Sequence, residues 1–172
     1  MAKLAWSSGD VERMAGNLAA AERELRAGYA IYLQMGEKSH LSSLAAYLAE
    51  VLHGQGRDAE ALAFAEISEA AAAHDDLLSQ VRWRGTRAKI LAGQGRTEQA
   101  EGLAGEGVRL AEQTDWLDLR ADALVDLAEV LQRADRPQHS VPLLQHALLL
   151  HEQKGNRVGV QRTRAQLARL PS

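Results

Sequence analysis

The chain has 172 residues, of which 46% are hydrophobic and 25% are charged, and its formal net charge at pH 7 is −3. This composition excludes a disordered chain. Aromatic residues make up only 4%, which disfavours a β-sandwich and indicates that alanine and leucine fill a core of closely packed helices. No cysteine is present, which excludes disulfides and thiolate metal sites, and the charges form no long basic run of the kind that binds nucleic acid.

The N-terminal sequence Met1-Ala-Lys-Leu-Ala-Trp6 lacks the apolar stretch and the cleavage site of an export signal. The chain also contains no run of about 18 apolar residues, the length that a membrane-spanning helix needs. We therefore expect a cytoplasmic protein whose partners include neither a membrane nor nucleic acid.

Two short sequence markers alternate along the chain. The first is a Gly-Arg turn or a weaker form of it, at Gly16-Asn17, Gly56-Arg57, Gly95-Arg96 and Asp135-Arg136. The second lies at Gly36, Asp75, Asp115 and Gly155. Each marker recurs every 39 or 40 residues, so that one or the other appears about every 20 residues, the length of one helix and one turn. This spacing predicts a stack of helix hairpins.

Helical periodicity is clearest from Leu117 to Leu131, where apolar residues recur at steps of three and four and acids occupy the other side. The second helices of the hairpins are expected to begin near Leu18, Asp58, Thr97 and Pro137, with Asp58 and Thr97 as N-caps and Pro137 in the first turn. Small residues recur at equivalent helix positions: Ala49, Ala88 and Ala128 in the first helices, Ala61 and Ala100 in the second, and Ser140 or Val141 in the last hairpin. Such residues let two helices approach closely.

These patterns predict one all-α domain over residues 1–172, a right-handed superhelical solenoid of antiparallel helix hairpins. Its parts are a partial first repeat at 1–36, repeats at about 37–75, 76–115 and 116–155, and a capping helix at 156–170. Because few residues precede Gly16, we expect the chain to begin within a repeat and to be a fragment of a longer protein.

Paired helices with small contact residues and a glycine at the turn resemble the tetratricopeptide repeat, with a period of 39 to 40 residues in place of about 34. The longer period is similar to that of bacterial multidomain signal-transduction ATPases. Three stretches resemble the C-terminal repeats of actinobacterial adenylate/guanylate cyclase-related proteins: Ser39-His-Leu-Ser-Ser-Leu-Ala-Ala-Tyr-Leu-Ala-Glu50, Trp83-Arg-Gly-Thr-Arg-Ala-Lys89 and Asp122-Ala-Leu-Val-Asp-Leu-Ala-Glu-Val-Leu131. In those proteins a cyclase or DNA-binding domain and an ATPase domain precede the repeats, and this chain contains neither.

The resemblance implies a non-catalytic module that binds a protein or peptide within a larger bacterial signalling or transcription-regulatory protein. No catalytic residue carries over from the family. Two alternatives remain open: a small-molecule sensor domain that controls a fused ATPase or cyclase, and a structural oligomerisation spacer that forms a homodimer through a self-complementary surface. None of the three requires a cofactor.

The first helices of a helix-hairpin solenoid line its concave surface, and the repeat spacing identifies their outward positions. These candidate partner-binding residues are Ser43, Tyr47, Glu50, Arg82, Thr86, Lys89, Asp122, Asp126 and Glu129. Their charges suit an extended peptide that carries both signs. Under the alternative interpretation, the arginine and lysine simply pair with neighbouring acids on a solvated face. A closed pocket lined by Tyr47 and Thr86 would instead favour a metabolite.

Arg84 and Arg87 occupy positions that are apolar in the other repeats. Because a buried arginine needs a carboxylate or several carbonyls, we expect both to tie adjacent hairpins together through Asp75, Asp76 or Glu112, and we weigh this role above an anion site.

Other residues raise hypotheses that their spacing does not support. His139 and His146 lie about two helical turns apart, too far to bind one zinc ion, so no metal site is expected. The Gly-Gln-Gly sequences that end at Gly56 and Gly95 lack the Gly-Lys pair of a phosphate loop and are interpreted as turns. We expect Trp116 to fill the junction between hairpins and Trp6 to be the tryptophan that is exposed.

Overall fold

The computed structural model describes residues 2–170, with the side chains of Ala2 and Ser39 excepted, and these residues are all-α. Nine helices occur in the described part: α1 (Ala2–Ala15), α2 (Leu18–Met35), α3 (Lys38–Gly54), α4 (Asp58–Ala71), α5 (Leu77–Gly93), α6 (Thr97–Ala111), α7 (Leu117–Arg133), α8 (Pro137–Lys154) and α9 (Arg157–Leu167). Helix α1 packs on α2, α3 on α4, and α7 on α8, which confirms the predicted hairpins. Within this part of the chain, none of the helices has the length and apolar character that crossing a membrane requires.

The second helices begin where the sequence predicts, at Leu18, Asp58, Thr97 and Pro137. The predicted N-caps are wrong, because Asp58 and Thr97 are already helical and the caps are Arg57 and Arg96, which make no side-chain cap hydrogen bond. The carboxylate of Asp58 lies 2.7 Å from His53 Nδ1 instead. Each turn glycine is followed directly by the cap residue. The helix therefore begins at Asp58 or Thr97 itself, one residue earlier than it would if these residues were the caps.

The first marker closes each first helix with a residue in the left-handed conformation. Its glycines Gly16, Gly56 and Gly95 have φ of +87°, +75° and +78°, and Asp135 takes +56° in the last repeat. This conformation folds the chain back so that the next N–H reaches the helix end, as Arg57 N does at 2.9 Å from Leu52 O. The prediction that these sites are turns is confirmed.

The second marker is realised by two different connections. Helices α2 and α8 have 18 residues each, end at left-handed Gly36 and Gly155, and leave two residues before the next helix. Helices α4 and α6 have 14 and 15 residues and are followed by five-residue connections at 72–76 and 112–116. For each of α2, α4, α6 and α8, the start of the helix and the start of the helix that follows it are 19 or 20 residues apart. A longer connection therefore replaces the last turn of a shorter helix.

The predicted small contact residues are buried. Ala49, Ala88 and Ala128 in the first helices, Ala61 and Ala100 in the second helices, and Ser140 in the last hairpin are all fully buried. In the first hairpin Gly9 takes this position in α1, where an added Cβ would lie 2.7 Å from Leu25 Cγ. A small side chain at this point is what allows the two helices of a hairpin to approach.

The chain divides into two compact units, Met1–Thr86 and Arg87–Ser172, with the boundary inside α5. In the first unit a cluster of leucines and tyrosines, with Leu25, Leu44 and Leu48 fully buried, joins α2 to α3. In the second unit one cluster is mostly alanine, from α5 and α6 with Val130 of α7, and another joins Leu124 to Leu150 of α8. The repeat bounds and the single-domain assignment stay predictions.

Candidate functional site

The nine predicted partner-binding residues lie on the three helices expected to carry them, but they differ in exposure. Ser43, Tyr47 and Thr86 are buried, so the expectation that these three point outward does not hold. The six charged residues are partly accessible. The repeat spacing cannot distinguish a position covered by the neighbouring helix from one that faces solvent. The partner-binding role of all nine stays a prediction.

In the first unit the charged residues form a cluster around Glu50 of α3. Arg13 Nη1 of α1 donates to Glu50 Oε1 at 2.6 Å, and Arg82 Nη1 of α5 donates to Glu50 Oε2 at 2.9 Å. Arg13 also pairs with Asp10 at 2.8 Å. One carboxylate therefore joins side chains from three helices. The sequence analysis considered contacts of this type, in which the basic residues pair with neighbouring acids.

Tyr47 lies beneath this cluster. The guanidinium carbon of Arg82 is 4.5 Å from the Tyr47 ring centroid and that of Arg13 is 5.2 Å away, both within the range of cation–π attraction. The Trp6 ring packs edge-on at 6.1 Å. Burial raises the pKa of Tyr47 above its ordinary value, so the phenol stays protonated at neutral pH. The ring is thus a platform under the ion pairs.

In the second unit the acids of α7 lie along one face of the helix. Lys89 Nζ of α5 is 2.7 Å from Asp126 Oδ1, and Arg133 Nη2 is 2.8 Å from Glu129 Oε1 within α7. Asp118 accepts from Asn156 Nδ2 at 3.0 Å. Asp122 is the fourth acid of this face. The side chains of Asp126 and Glu129 are 19% and 29% exposed, so their paired carboxylates remain within reach of solvent.

The two unusual arginines of α5 are partly buried, as expected. Arg84 Nη1 donates to the backbone oxygen of Gln80 at 2.8 Å and also contacts the Gln80 side chain. Of the acids predicted to hold them, Asp76 accepts from Ser42 Oγ at 2.6 Å and from the Ser79 N–H at 3.2 Å. The tie between hairpins through Arg84 and Arg87 stays a prediction.

A repeated ion pair joins successive second helices, and the sequence analysis missed it. Arg57 at the N-cap of α4 lies 2.8 Å from Glu22, the fifth residue of α2. Arg136 at the N-cap of α8 pairs in the same way with Glu101, the fifth residue of α6. The signal was available in the sequence, because both arginines belong to the first marker and each glutamate precedes its arginine by 35 residues.

Glu22 receives more donors than its equivalent glutamate. Burial pushes the pKa of Glu22 upward, but hydrogen bonds from Arg26, Gln55 and Arg57 outweigh it and hold the pKa below the ordinary value. The pKa of Glu60 is also lowered, chiefly by its hydrogen bond from Arg57. Arg57 therefore binds two carboxylates that stay ionised at a lower pH than a glutamate with an ordinary pKa.

The histidines and tryptophans lie partly where the sequence did not predict. His139 and His146 are exposed, whereas His151 is buried with Nδ1 3.6 Å from Asp118 Oδ1. No cluster of potential metal ligands occurs within residues 2–170. Trp116 is 54% exposed and Trp6 is half-buried, so the expectation for these two tryptophans is reversed. Helix α1 packs Trp6 against Tyr47, whereas Trp116 is the last residue of the five-residue connection before α7.

One open groove of about 560 Å³ lies beside α6 in the second unit. Gly102, Gly105, Leu127 and Leu131 form its floor, and Glu98, Glu101 and Arg109 also line it. An added Cβ at Gly102 would meet nothing within 4 Å. Its lining includes neither Tyr47 nor Thr86, the two residues considered from the sequence for a metabolite pocket.

Comparisons with known proteins agree with this architecture. A family model for the tetratricopeptide repeat matches residues 120–154, the α7–α8 hairpin. The fold is similar to crystal structures of nearly identical TPR-like repeats from a Podosopora anserina kinesin light chain candidate, with 18% identity and a TM-score of 0.58 over 97% of this chain and 83% of that chain. A single-substitution variant of those repeats gives 17% identity and a TM-score of 0.59 with the same coverage. No curated protein is a significant match to the sequence. The chain thus contains a segment that matches the tetratricopeptide repeat and has the fold of TPR-like repeats.

Proposed function

We propose that this chain is a non-catalytic protein-interaction module and that the acidic face of α7 binds a basic segment of its partner. TPR-like repeats generally mediate protein–protein interaction, which supports the class of function. The observation that carries the site is the row of carboxylates on one face of α7, at Asp118, Asp122, Asp126 and Glu129. Partly exposed, paired carboxylates of this kind can exchange an internal cation for one from a peptide.

The charges of the second unit support this choice. Lys89 already shows that an ammonium group fits against Asp126, at 2.7 Å. A lysine or arginine of a partner would face the same carboxylates, with Asp122 one turn away on the same helix.

The experiment compares two synthetic peptides of equal length, one rich in lysine and arginine and one rich in aspartate and glutamate, by fluorescence anisotropy at low and at physiological salt. We expect the basic peptide to bind more tightly and its affinity to fall as salt rises. The variant Asp122→Lys/Asp126→Lys should weaken binding at least tenfold. The matched control Glu98→Lys/Glu112→Lys changes the net charge equally, at exposed positions on and just after α6, and should have little effect.

Asp122→Asn/Asp126→Asn serves as a gentler second variant, and circular dichroism shows whether each variant stays folded. Equal loss of binding in the α7 variants and in the control would mean that net charge alone attracts the peptide, and the α7 site would then be rejected. Failure of both peptides to bind the folded chain would also contradict the proposal.

We further propose that the module belongs to a larger bacterial signalling or transcription-regulatory protein in the cytoplasm. The resemblance of three stretches of the chain to the repeats of cyclase-related regulators supports this context. No observation within the described residues favours the small-molecule sensor.

A further inference from the structure

Helix α6 carries two glycines that the packing of the described residues does not require. Gly102 and Gly105 lie three residues apart on α6 and line the open groove of about 560 Å³. An added Cβ at Gly102 would meet nothing within 4 Å, and one at Gly105 would meet Arg109 Nη1 at 3.9 Å, an ordinary contact. A glycine inside a helix is less stable than an alanine there. The helix therefore loses stability at both positions without gaining a closer contact within the chain.

The other glycines of the described part have a packing or backbone reason. Five take the left-handed conformation at turns: Gly16, Gly36, Gly56, Gly95 and Gly155. Four in helices would place an added Cβ between 2.5 and 3.1 Å from a neighbouring atom: Gly9, Gly54, Gly93 and Gly159. Three more are buried: Gly28, Gly85 and Gly107. The open space over Gly102 and Gly105 therefore distinguishes these two glycines from the rest.

Every other second helix has a side chain at the two positions that are glycine in α6. The equivalents, one repeat interval at a time, are Arg23, Ala63 and Pro142 for Gly102, and Arg26, Glu66 and Gln145 for Gly105. Leu127 of α7, in the floor of the groove, stays partly accessible, whereas its equivalent Leu48 is fully buried. Two missing side chains and an accessible leucine thus lie together in one groove.

The walls of this groove favour a helix as its occupant. Helices α6 and α7 form the walls, and the polar side chains among the lining residues are Glu98, Glu101 and Arg109. The backbone groups inside these two helices are already paired with one another. An extended segment would bring unpaired N–H and C=O groups to this surface, whereas a helix satisfies its own. Two glycines on the floor also let the occupant approach α6 closely.

The charges at the two ends of the groove set the direction of such a helix. Glu98 and Arg109 lie 11 residues apart, about 16 Å along α6. Arg109 pairs with Glu106 of its own helix, but its side chain is 67% exposed, so this pair is weak and can open to another carboxylate. Glu101 is held by Arg136. A matching helix carries an acid opposite Arg109 and a base opposite Glu98. Because acids favour the start of a helix and bases its end, that helix runs antiparallel to α6.

We infer that the groove beside α6 binds an amphipathic helix of a partner protein, antiparallel to α6, with two aliphatic side chains over Gly102, Gly105 and Leu127. The inference goes beyond the proposed function and does not depend on it. Leu127 and Leu131 follow Asp122 by five and nine residues, which places them on roughly the opposite side of α7 from the acidic face. The α6 helix of a second copy does not fit, because its glycine face has no side chains to fill the groove.

Fluorescence anisotropy at physiological salt tests the inference with a labelled, internally cross-linked helical peptide. The peptide has a glutamate in its first turn, two leucines three residues apart in the middle and an arginine in its last turn. We expect a dissociation constant in the micromolar range, because one short helix makes a smaller contact than a standard interface. Gly102→Leu fills the groove and should weaken binding at least tenfold. The matched control Ala63→Leu, at the equivalent exposed position of α4, should leave the affinity unchanged.

Thermal unfolding followed by circular dichroism checks that both leucine variants stay folded, which we expect because an added Cβ at Gly102 is unobstructed. Arg109→Ala should weaken binding several-fold as a second variant. A peptide with its leucines moved to the opposite face should not bind, because it has no aliphatic side chain for the groove. Equal binding of the two peptides, or unchanged binding by folded Gly102→Leu, would overturn the inference.

Competition separates this groove from the acidic face of α7. An excess of the peptide rich in lysine and arginine should not displace the labelled helix, because that peptide lacks an aliphatic face. Displacement would mean that both peptides share one site and would overturn the inference. Failure of the basic peptide to bind would contradict the proposed function and leave the helix-binding result intact.

Discussion

The two compact units build the same repeat from different core side chains. Six of the seven aromatic residues lie in the first unit, where leucines and tyrosines form the core of α2 and α3. Trp116, which is exposed, is the single aromatic residue in the sequence of the second unit. Alanines make up most of the cluster between α5, α6 and α7. Both units nevertheless keep the interval of 39 or 40 residues. The spacing of the helix starts therefore sets the repeat, whereas the volume of the core side chains differs between the two units.

The largest expected effect is the loss of a big side chain from the first unit. Leu48 is fully buried within the leucine and tyrosine cluster. Leu48→Ala should lower the free energy of unfolding by about 3 kcal/mol, because it removes apolar contact and leaves a cavity. Urea unfolding followed by circular dichroism measures this, with the exposed Leu33→Ala as a control expected to stay within about 0.5 kcal/mol. Similar losses for the two variants would contradict the assigned core.

The opposite change tests the alanine core of the second unit. Ala100 of α6 is fully buried beside alanines of α5 and Val130. Ala100→Leu should cost about 2 kcal/mol in the free energy of unfolding, since a closely packed contact has no room for three more carbons. Ala165→Leu, at an exposed position of α9, is the matched control and should change stability little. Tolerance of leucine at position 100 would mean that the alanine core is loosely packed.

Turn substitutions should have the same effect in both units, because they act on the backbone. Gly36 and Gly155 have φ of +71° and +76°, and an added Cβ would meet nothing within 4 Å at either site. Gly36→Ala and Gly155→Ala should each destabilise by about 1 kcal/mol through backbone strain alone. Gly102→Ala in the middle of α6 should instead stabilise by about 0.5 to 1 kcal/mol, because alanine favours a helix and no atom obstructs it. A gain in thermal stability for Gly36→Ala would refute the assigned turn.

The smallest expected effect concerns acid sensitivity in the first unit. The pKa of Glu22 is lower in the folded protein than the ordinary 4.5, so its ion pairs stabilise the fold above that pH, and this contribution is lost as the pH falls through the folded-state value. Glu22→Gln should therefore cost less than about 1 kcal/mol at pH 7, and the difference from the unmodified chain should shrink at pH 3. Glu98→Gln, at an exposed position of α6, should be neutral at both pH values. A difference for Glu22→Gln that is equal at both pH values would show that charge is not the cause.

The candidate site was less predictable than the fold. The spacing identified the alanines that recur at helix contacts, because burial at one position per turn imposes a period on the residues. It did not reveal that Ser43 and Tyr47 are covered, since covering depends on residues from α1 and α5 that are distant in the sequence. The sequence also predicted an exposed Trp6 and a covered Trp116, and the structure has the reverse. Trp116 lies in a connection, and the length of a connection depends on where the preceding helix stops.

The sequence by itself determined the class of the fold, the helix starts and the left-handed turns, since glycine, proline and apolar spacing act through the local backbone. Tertiary structure alone decided which charges pair around Glu50. Glu50 meets Arg13 and Arg82 across 37 and 32 residues, two separations that the repeat interval does not predict. Only the packing of α1, α3 and α5 brings these three side chains together.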